Sequence, residues 1–233
     1  MSLTTFPAGY RAVVIGASGA IGDALVTRLR ADPACAQVLA LHRRSAPAID
    51  FDRDGSVAAA AAAVAGAGPF QLVINAAGVL HTPQFMPEKK LADLNEAQLL
   101  ATLRANTIGP AMVLRHFAPL LDAQRGVLAM LSAKVGSIED NRLGGWYSYR
   151  ASKAALNMLL KTAAIECQRS RPQAVLVALH PGTVRSALSK PFRGDAIGRP
   201  AEQAAAELLA VIDRLTPADT GRFIAYDGAA LPW

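Results

Sequence analysis

Short apolar runs alternate with longer helical patterns along the whole of this 233-residue chain. Short continuous apolar runs indicate strands that are buried on both faces. The predicted strands are Ala12–Ile15, Val38–Leu41, Leu72–Ile74, Val127–Leu131, Val175–Leu179 and Phe223–Ala225. The predicted helices are Ile21–Arg30, Ser56–Ala65, Ala97–Leu121, Ser148–Arg169 and Ala201–Leu215. This order predicts an α/β fold in which helices cover both faces of a doubly wound parallel sheet.

The alternation continues without a linker or an internal repeat, so we predict a single domain over residues 1–233. Lys190–Arg199 has no clear period and is interpreted as a mobile loop. Hydrophobic residues make up 52% of the chain and charged residues 18%, which is typical of a compact globular protein.

The charge pattern argues against a nucleic-acid partner. The net charge is +6, but lysines and arginines are scattered and their densest cluster is the pair Arg43-Arg44. Such a distribution favours anionic small molecules over nucleic acid. No apolar run approaches the roughly 18 residues of a membrane span, and Met1–Ala8 lacks the pattern of a signal peptide. We therefore expect a cytoplasmic protein with no membrane partner.

The remaining composition suggests neither a disulfide framework nor a metal site. Cys35 and Cys167 are the two cysteines, and neither lies in a Cys-x-x-Cys motif. Two reduced, buried thiols are the default for such a chain. No His, Cys, Asp and Glu residues have the spacing of a metal site, so no metal is expected.

A glycine-rich loop follows the first predicted strand and leads into the first predicted helix. Its residues include Gly16, Ser18, Gly19, Ala20, Ile21 and Gly22. Glycines permit a tight turn and a close approach of the backbone, and the unpaired N–H groups at a helix N-terminus bind a pyrophosphate. Glycines also serve ordinary turns, but this position between a strand and a helix indicates a dinucleotide site.

The end of the second strand indicates which dinucleotide is bound. An acidic residue there binds the ribose 2′-hydroxyl of NAD, whereas arginine suits the 2′-phosphate of NADP. The chain has Arg43 and Arg44 at this point, and no acid follows until Asp50. A guanidinium group fits a phosphate through two parallel hydrogen bonds. The sequence therefore predicts a preference for NADP(H) over NAD(H), although a solvated basic turn has the same composition.

Tyr149 and Lys153 are four residues apart in the predicted helix Ser148–Arg169. Residues at this spacing share a helix face, with Cβ atoms roughly 5–6 Å apart. A neighbouring cation favours the phenolate and lowers the pKa of a tyrosine. Such a pair can donate a proton to a carbonyl or accept one from an alcohol. The spacing also arises by chance on helices, and it becomes informative only beside the glycine loop.

Together these motifs resemble the classical short-chain dehydrogenase/reductase family, over essentially the whole chain. The glycine loop, Asn75-Ala76-Ala77-Gly78, Asn106, the Tyr149/Lys153 pair and Pro181-Gly182 fall in the family's order. The stretch from Val135 to Arg150 is similar to a narrower group of C-factor signalling proteins and sniffer-type carbonyl reductases. The resemblance implies a Rossmann-like NAD(P)-binding domain that acts on small carbonyl or alcohol substrates. It also implies a homodimer or homotetramer that associates through the helices Ala97–Leu121 and Ser148–Arg169.

The resemblance assigns roles to individual residues. Tyr149 would be the proton donor in reduction, Lys153 would lower its pKa and hold the nicotinamide ribose, and Asn106 would hold a water in the proton path. The adenosine side of the cofactor would contact Asn75, Ala76, Ala77 and Gly78, with Asp50 near the adenine. The nicotinamide side would contact Pro181, Gly182, Val184 and Ser186.

At the family's catalytic serine, this chain departs from the pattern. The family has two serines after the corresponding strand, and the second binds the substrate oxygen. Aligning Leu131-Ser132-Ala133-Lys134 with that pattern places Ala133 at the second serine. Ser132 is the predicted replacement, Ser137 is an alternative, and the hydroxyl could also be absent.

Two competing functions are compatible with these motifs. One is a dinucleotide-binding sensor or signalling protein with little turnover, which Ala133 and the C-factor resemblance both motivate. The other is a nucleotide-sugar epimerase or dehydratase, for which the roughly 50 residues after Pro181 leave little room for a substrate domain. The interpretation favoured by the residues is an NADP-dependent oxidoreductase.

Overall fold

A computed structural model describes residues 2–233 and contains one six-stranded sheet. All neighbouring strands pair in parallel, in the order β2-β1-β3-β4-β5-β6. The strands are β1 (Tyr10–Ile15), β2 (Cys35–Leu41), β3 (Leu72–Asn75), β4 (Gly126–Leu131), β5 (Ala174–His180) and β6 (Phe223–Ala225). From β1 the chain continues to β2, which lies on one side of β1, and then to β3, which lies on the other side of β1. The strand order therefore reverses between β1 and β3.

Helices cover both faces of this sheet. They are α1 (Ala20–Arg30), α2 (Ser56–Val64), α3 (Glu96–Leu103), α4 (Gly109–Phe117), α5 (Tyr147–Ser170), α6 (Gly194–Ile197) and α7 (Ala201–Arg214). Alternate residues of a strand point to opposite faces. Accordingly, Ala12 and Val14 pack with α1 and α7, whereas Val13 and Ile15 pack with α2, α4 and α5. The prediction of a doubly wound α/β fold is confirmed.

The predicted continuous helix Ala97–Leu121 is wrong, because the segment is interrupted twice. A π-helical turn, Arg104–Ile108, separates α3 from α4, and a 3-10 turn, Ala118–Leu120, follows α4. Pro110 has no backbone N–H to donate to the carbonyl of Asn106, so a regular α-helix cannot continue there. Asn106 and Thr107 are buried in the π turn, and both contact Ser152 of α5.

Lys190–Arg199 contains more regular structure than the predicted loop. A 3-10 turn, Lys190–Phe192, precedes the short helix α6. Gly194 lies so close to Ser189 that a Cβ atom at this position would overlap its side chain. These helical pieces are too short to produce a recognisable hydrophobic period.

Parallel strands bring their carboxyl ends to one edge of the sheet, and the crevice outside the strand-order reversal is the expected ligand site. The loops after β1 and β3 therefore border the candidate site. No helix within residues 2–233 is long and apolar enough to cross a membrane.

Candidate active site

The loop after β1 is built against the loop after β3. Gly16 has a φ of +81°, and a Cβ atom there would lie 2.6 Å from the backbone nitrogen of Ala77. Gly22, in the first turn of α1, would collide with the carbonyl oxygen of Gly16 if it carried a Cβ atom. Only glycine allows these approaches. They bring the N-terminus of α1, with its unpaired N–H groups, to the strand-order reversal.

A cleft of about 250 Å³ opens at this point. Its lining includes eight of the residues predicted to bind the cofactor, namely Gly16, Ser18, Gly19, Arg43, Asp50, Ala76, Ala77 and Gly78. Ala20, Ile21 and Gly22 form the first turn of α1 rather than the cleft wall. Asn75 ends β3, and its side-chain oxygen accepts a hydrogen bond from the Ala77 nitrogen at 3.2 Å.

Other lining residues were not predicted from the sequence. They are Ile15, His42, Ile49, Phe51, Asp52, Val79 and Ala105. The Phe51 ring packs so closely on Gly109 that no side chain fits at position 109. Phe51 therefore packs this side of the cleft against α4. Ile49 and Phe51, the apolar residues on either side of Asp50, could have indicated this part of the lining, because they suggest a segment that returns to the core.

The turn after β2 presents two exposed cations at the cleft. Arg43 and Arg44 are both exposed, and neither takes part in an ion pair within residues 2–233. The Arg44 backbone nitrogen donates to Nδ1 of His42 at 3.1 Å, which shapes the turn. Arg43 lines the cleft, and Arg44 is its neighbour in the chain.

Tyr149 and Lys153 lie on the first two turns of α5. The Lys153 Nζ atom is 5.9 Å from the centre of the Tyr149 ring and donates to the Leu131 carbonyl at 2.9 Å. Burial raises the pKa of Tyr149 to about 12 and lowers the pKa of Lys153 to about 8. A neighbouring lysine lowers the pKa of a tyrosine, whereas burial raises it. In the protein without cofactor, the effect of burial on Tyr149 is the larger one.

Asn106 connects the β3 loop to α5. Its side-chain oxygen accepts from the Val79 nitrogen at 2.8 Å, and its side-chain nitrogen donates to the Val79 carbonyl at 2.8 Å and to Ser152 Oγ at 3.1 Å. A Cβ atom on Gly78 would lie 3.2 Å from Asn106 Oδ1 and 3.5 Å from Lys153 Nζ. Gly78 thus lies between the cleft and these two polar groups.

Ser132, which follows β4, is buried and makes a specific side-chain contact. Its hydroxyl donates to Oδ1 of Asn157 at 2.6 Å. The Asn157 Nδ2 atom is also buried, and it has no partner within residues 2–233. The alternative, Ser137, is buried as well, and its hydroxyl donates to the Trp233 carbonyl at 3.1 Å.

Aromatic side chains stand next to Tyr149. The Trp146 ring lies edge-on to Tyr149, with centres 6.2 Å apart, and edge-on to Phe192 at 5.0 Å. The His81 ring is also edge-on to Phe192, with centres 5.9 Å apart. Phe192 belongs to the 3-10 turn before α6, so this segment forms an aromatic wall beside the candidate proton donor.

The predicted nicotinamide contacts follow β5 and lie outside the cleft lining. Pro181 accepts a hydrogen bond from Arg199, and Gly182 has a φ of +71°, with Arg199 2.7 Å from the position of a Cβ atom. Val184 is buried, and Ser186 donates to the Val184 carbonyl at 3.3 Å. These residues therefore form a compact loop at the same edge of the sheet.

His180, the last residue of β5, lies between this loop and the segment after β4. Its Nδ1 atom accepts from the Lys134 nitrogen at 3.2 Å, and burial lowers its pKa to about 4. The imidazole is therefore neutral at physiological pH. Residues 2–233 contain no cluster of three or more His, Cys, Asp and Glu side chains suited to a metal ion.

Comparison with known proteins places this chain in a family. The family model described as short chain dehydrogenase matches residues 10–196. The chain is 34% identical over 187 residues to the 1-hydroxy-2-glutathionyl-2-methyl-3-butene dehydrogenase of Rhodococcus sp. (strain AD45), covering 80% of this chain and 79% of that protein. It is 36% identical over 170 residues to the C-signal protein of Myxococcus xanthus, covering 71% and 94% respectively.

Solved structures with this fold include two carbonyl reductases. Carbonyl reductase Sniffer of D. melanogaster superposes with a TM-score of 0.82 at 24% identity, over 97% of this chain and 99% of that one. The NADPH-bound carbonyl reductase from chicken fatty liver superposes with a TM-score of 0.83 at 23% identity, over 99% and 97%. The similarity to C-factor and sniffer-type proteins predicted from the sequence is confirmed. The chain belongs to the short-chain dehydrogenase/reductase family of oxidoreductases.

Proposed function

We propose that this protein is an NADP(H)-dependent carbonyl reductase in which Tyr149 donates the proton. The observation that carries the proposal is the position of Tyr149 and Lys153 at the edge of the sheet where the glycine-lined cleft opens. Gly78 connects the two regions, since it lines the cleft and lies against Lys153 Nζ. One end of the site is therefore suited to a dinucleotide and the other to proton transfer.

The residues present fit a dinucleotide. The backbone of the glycine loop and the N-terminus of α1 would hold the pyrophosphate, with Asp50 near the adenine. The loop from Pro181 to Ser186 would face the nicotinamide, and Lys153 would hold its ribose. When bound, the cofactor supplies the hydride for the carbonyl carbon.

The preference for NADP(H) is supported by Arg43 and Arg44. Both are exposed at the end of β2 and have no acidic partner within residues 2–233. A bidentate guanidinium contact with the 2′-phosphate is the interaction that these side chains would make. The NADPH-bound structure of the chicken carbonyl reductase agrees with this choice.

Tyr149 suits the direction of reduction. With a pKa of about 12 it keeps its proton at neutral pH, and it can pass that proton to the oxygen of a carbonyl substrate. Lys153, while charged, favours the phenolate that remains after the transfer. Asn106 would hold the water through which the phenolate regains its proton.

Ser132 can supply the hydroxyl of the family's catalytic serine if the side-chain amide of Asn157 rotates by half a turn. In the present arrangement, Ser132 donates to Asn157 and Nδ2 has no partner. Rotation of the amide by half a turn lets Nδ2 donate to Ser132 Oγ, which frees the hydroxyl proton for the substrate oxygen. Ser132 would then take the role that Ala133 cannot fill.

A sensor or signalling protein with little turnover is the second candidate. Two observations favour it: Ala133 stands at the position of the family's catalytic serine, and the C-signal protein is 36% identical. A sensor should bind NADPH without reducing a substrate. A reductase should bind NADPH and also reduce a carbonyl substrate.

The decisive experiment measures oxidation of NADPH by the purified protein with aldehydes, diketones and quinones. Cofactor binding is measured in parallel by titration with NADPH and NADH. We expect tighter binding of NADPH and turnover with at least one carbonyl class. Tight NADPH binding without turnover across the three classes would favour the sensor.

A further inference from the structure

A buried carboxyl group from a distant loop contacts the first turn of α5. Glu88 is only 2% exposed, and it lies between β3 and α3. Its carboxyl group accepts hydrogen bonds from the Ser148 nitrogen at 3.2 Å and from the Ser148 hydroxyl. Its main-chain carbonyl accepts from the Trp146 nitrogen at 2.5 Å. Glu88 and Ser148 are separated by 60 residues in sequence.

The helix lacks a local cap, and Glu88 supplies one. The N-cap residue of α5, Trp146, has left-handed backbone angles (φ 53°, ψ 42°) and makes no side-chain cap hydrogen bond. The first N–H groups of a helix need acceptors from outside the helix. Within residues 2–233, Glu88 takes part in no ion pair, so the α5 end is where its carboxyl group is satisfied.

The capped turn carries the groups that the proposed function places beside the substrate. Trp146 is the N-cap, Ser148 is bonded to Glu88, and Tyr149 is the next residue. Any shift of Ser148 therefore moves Tyr149. A misplacement of about 1 Å in a reacting group commonly costs on the order of a hundredfold in rate.

The segment that carries Glu88 is itself anchored. The side chain of Gln98, in α3, donates to the Met86 carbonyl at 2.9 Å. The Asp93 carboxylate accepts from the backbone nitrogens of Lys89 and Lys90 at 3.1 Å and 3.2 Å. Glu88 is thus held on both sides, which a residue that orients another element requires.

We propose that Glu88 is a positioning residue for the catalytic helix, which it caps from outside so that Tyr149 and Trp146 are fixed at the substrate. This inference rests on the proposed role of Tyr149. It also implies that the Met86–Lys90 segment belongs to the active site, although no part of that segment lines the cofactor cleft.

The first test is Glu88→Gln, which keeps the size of the side chain but replaces one of the two acceptor oxygens with an amide nitrogen, which donates and cannot accept from Ser148. We expect kcat to fall at least tenfold at saturating substrate, while the Kd for NADPH stays within twofold. Glu96→Gln is the matched control, since Glu96 is an exposed acid in the first turn of α3. It should leave both values unchanged.

Ser148→Ala serves as the second variant in case Glu88→Gln does not fold. It removes the hydroxyl donor and leaves the carboxyl group in place, so kcat should fall with normal NADPH affinity. If both variants fold, the double variant should be no slower than Glu88→Gln, because both changes disrupt the hydrogen bond between the Ser148 hydroxyl and the Glu88 carboxyl group.

A fluorescence measurement tests the inference without turnover. Trp146 and Trp233 are the two tryptophans, so Trp233→Phe leaves Trp146 as the sole indole. In that background, Glu88→Gln should shift the emission maximum and Glu96→Gln should not. A wild-type kcat or an unchanged emission maximum in Glu88→Gln would overturn the proposal. If Glu88→Gln does not fold, a wild-type kcat or an unchanged emission maximum in Ser148→Ala would overturn it instead. If the parent protein reduces no carbonyl, the proposed function fails and the emission alone decides the role of Glu88.

Discussion

At the scale of single residues, the proposed mechanism requires a charged Lys153, so the charge of Lys153 should set a pH limit on the reaction. Its pKa of about 8 means that it is charged below that pH and neutral above it, whereas Tyr149 keeps its proton up to about pH 12. We therefore expect kcat/KM for carbonyl reduction to be level below pH 8 and to fall by about tenfold per pH unit above it.

A pH–rate profile measures this dependence directly, and Lys153→Arg provides the control. Arginine stays charged throughout the range. The variant should be slower overall and should lack the decline above pH 8. A decline of equal slope in Lys153→Arg would assign the ionisation to another group.

The pair formed by Ser132 and Asn157 gives a second prediction at this scale. Asn157→Asp replaces the amide with a carboxylate that can only accept, so the Ser132 hydroxyl stays committed to it. We expect Asn157→Asp and Ser132→Ala each to lower kcat by about a hundredfold, the usual effect of losing one donor to a reacting oxygen. Ser137→Ala is the control, since its hydroxyl donates to Trp233. Near-normal kcat in Ser132→Ala would remove Ser132 from the mechanism.

At the scale of elements, the proposed preference for NADP(H) rests on the turn after β2. The double variant Arg43→Asp with Arg44→Ala replaces two cations with one acid, which favours a ribose 2′-hydroxyl over a 2′-phosphate. We expect the ratio of the Kd values for NADH and NADPH to fall at least tenfold. Arg30→Asp, an exposed change at the end of α1, controls for the exchange of an arginine for an acid away from the cleft. An unchanged ratio would contradict the assignment of Arg43 and Arg44.

The elements also show what the sequence could predict. All six strands were identified because strands buried on both faces are continuous apolar runs, as in β4 and β5. The π turn at Arg104–Ile108 was missed, since the hydrophobic period of α3 continues into α4 and a single proline looks like an ordinary kink. Contacts of the turn with Ser152 are tertiary and leave no local signal.

At the scale of the whole molecule, the fold gathers residues that are distant in sequence at one edge of the sheet. The glycine loop, the Asn75–Gly78 segment and the Tyr149/Lys153 pair were predicted, because each is a recognisable motif of the family. Glu88 was not predicted, since a single acid in a loop has no pattern and its partner lies 60 residues away. The homodimer or homotetramer stays a prediction. The exposed apolar residues of α3 and α5, Leu100, Met158 and Ile165, lie on the helices through which we expect association.

The central claim is that Tyr149 is the proton donor of a carbonyl reductase, and the most direct measurement is NADPH-dependent turnover of Tyr149→Phe. Losing the proton donor should lower kcat by about 10²- to 10⁴-fold. The Kd for NADPH should stay within about twofold, because only the hydroxyl is removed. Tyr147→Phe, the same change in the same turn of α5, should retain wild-type turnover. Comparable rates in Tyr149→Phe and the wild type would contradict the account.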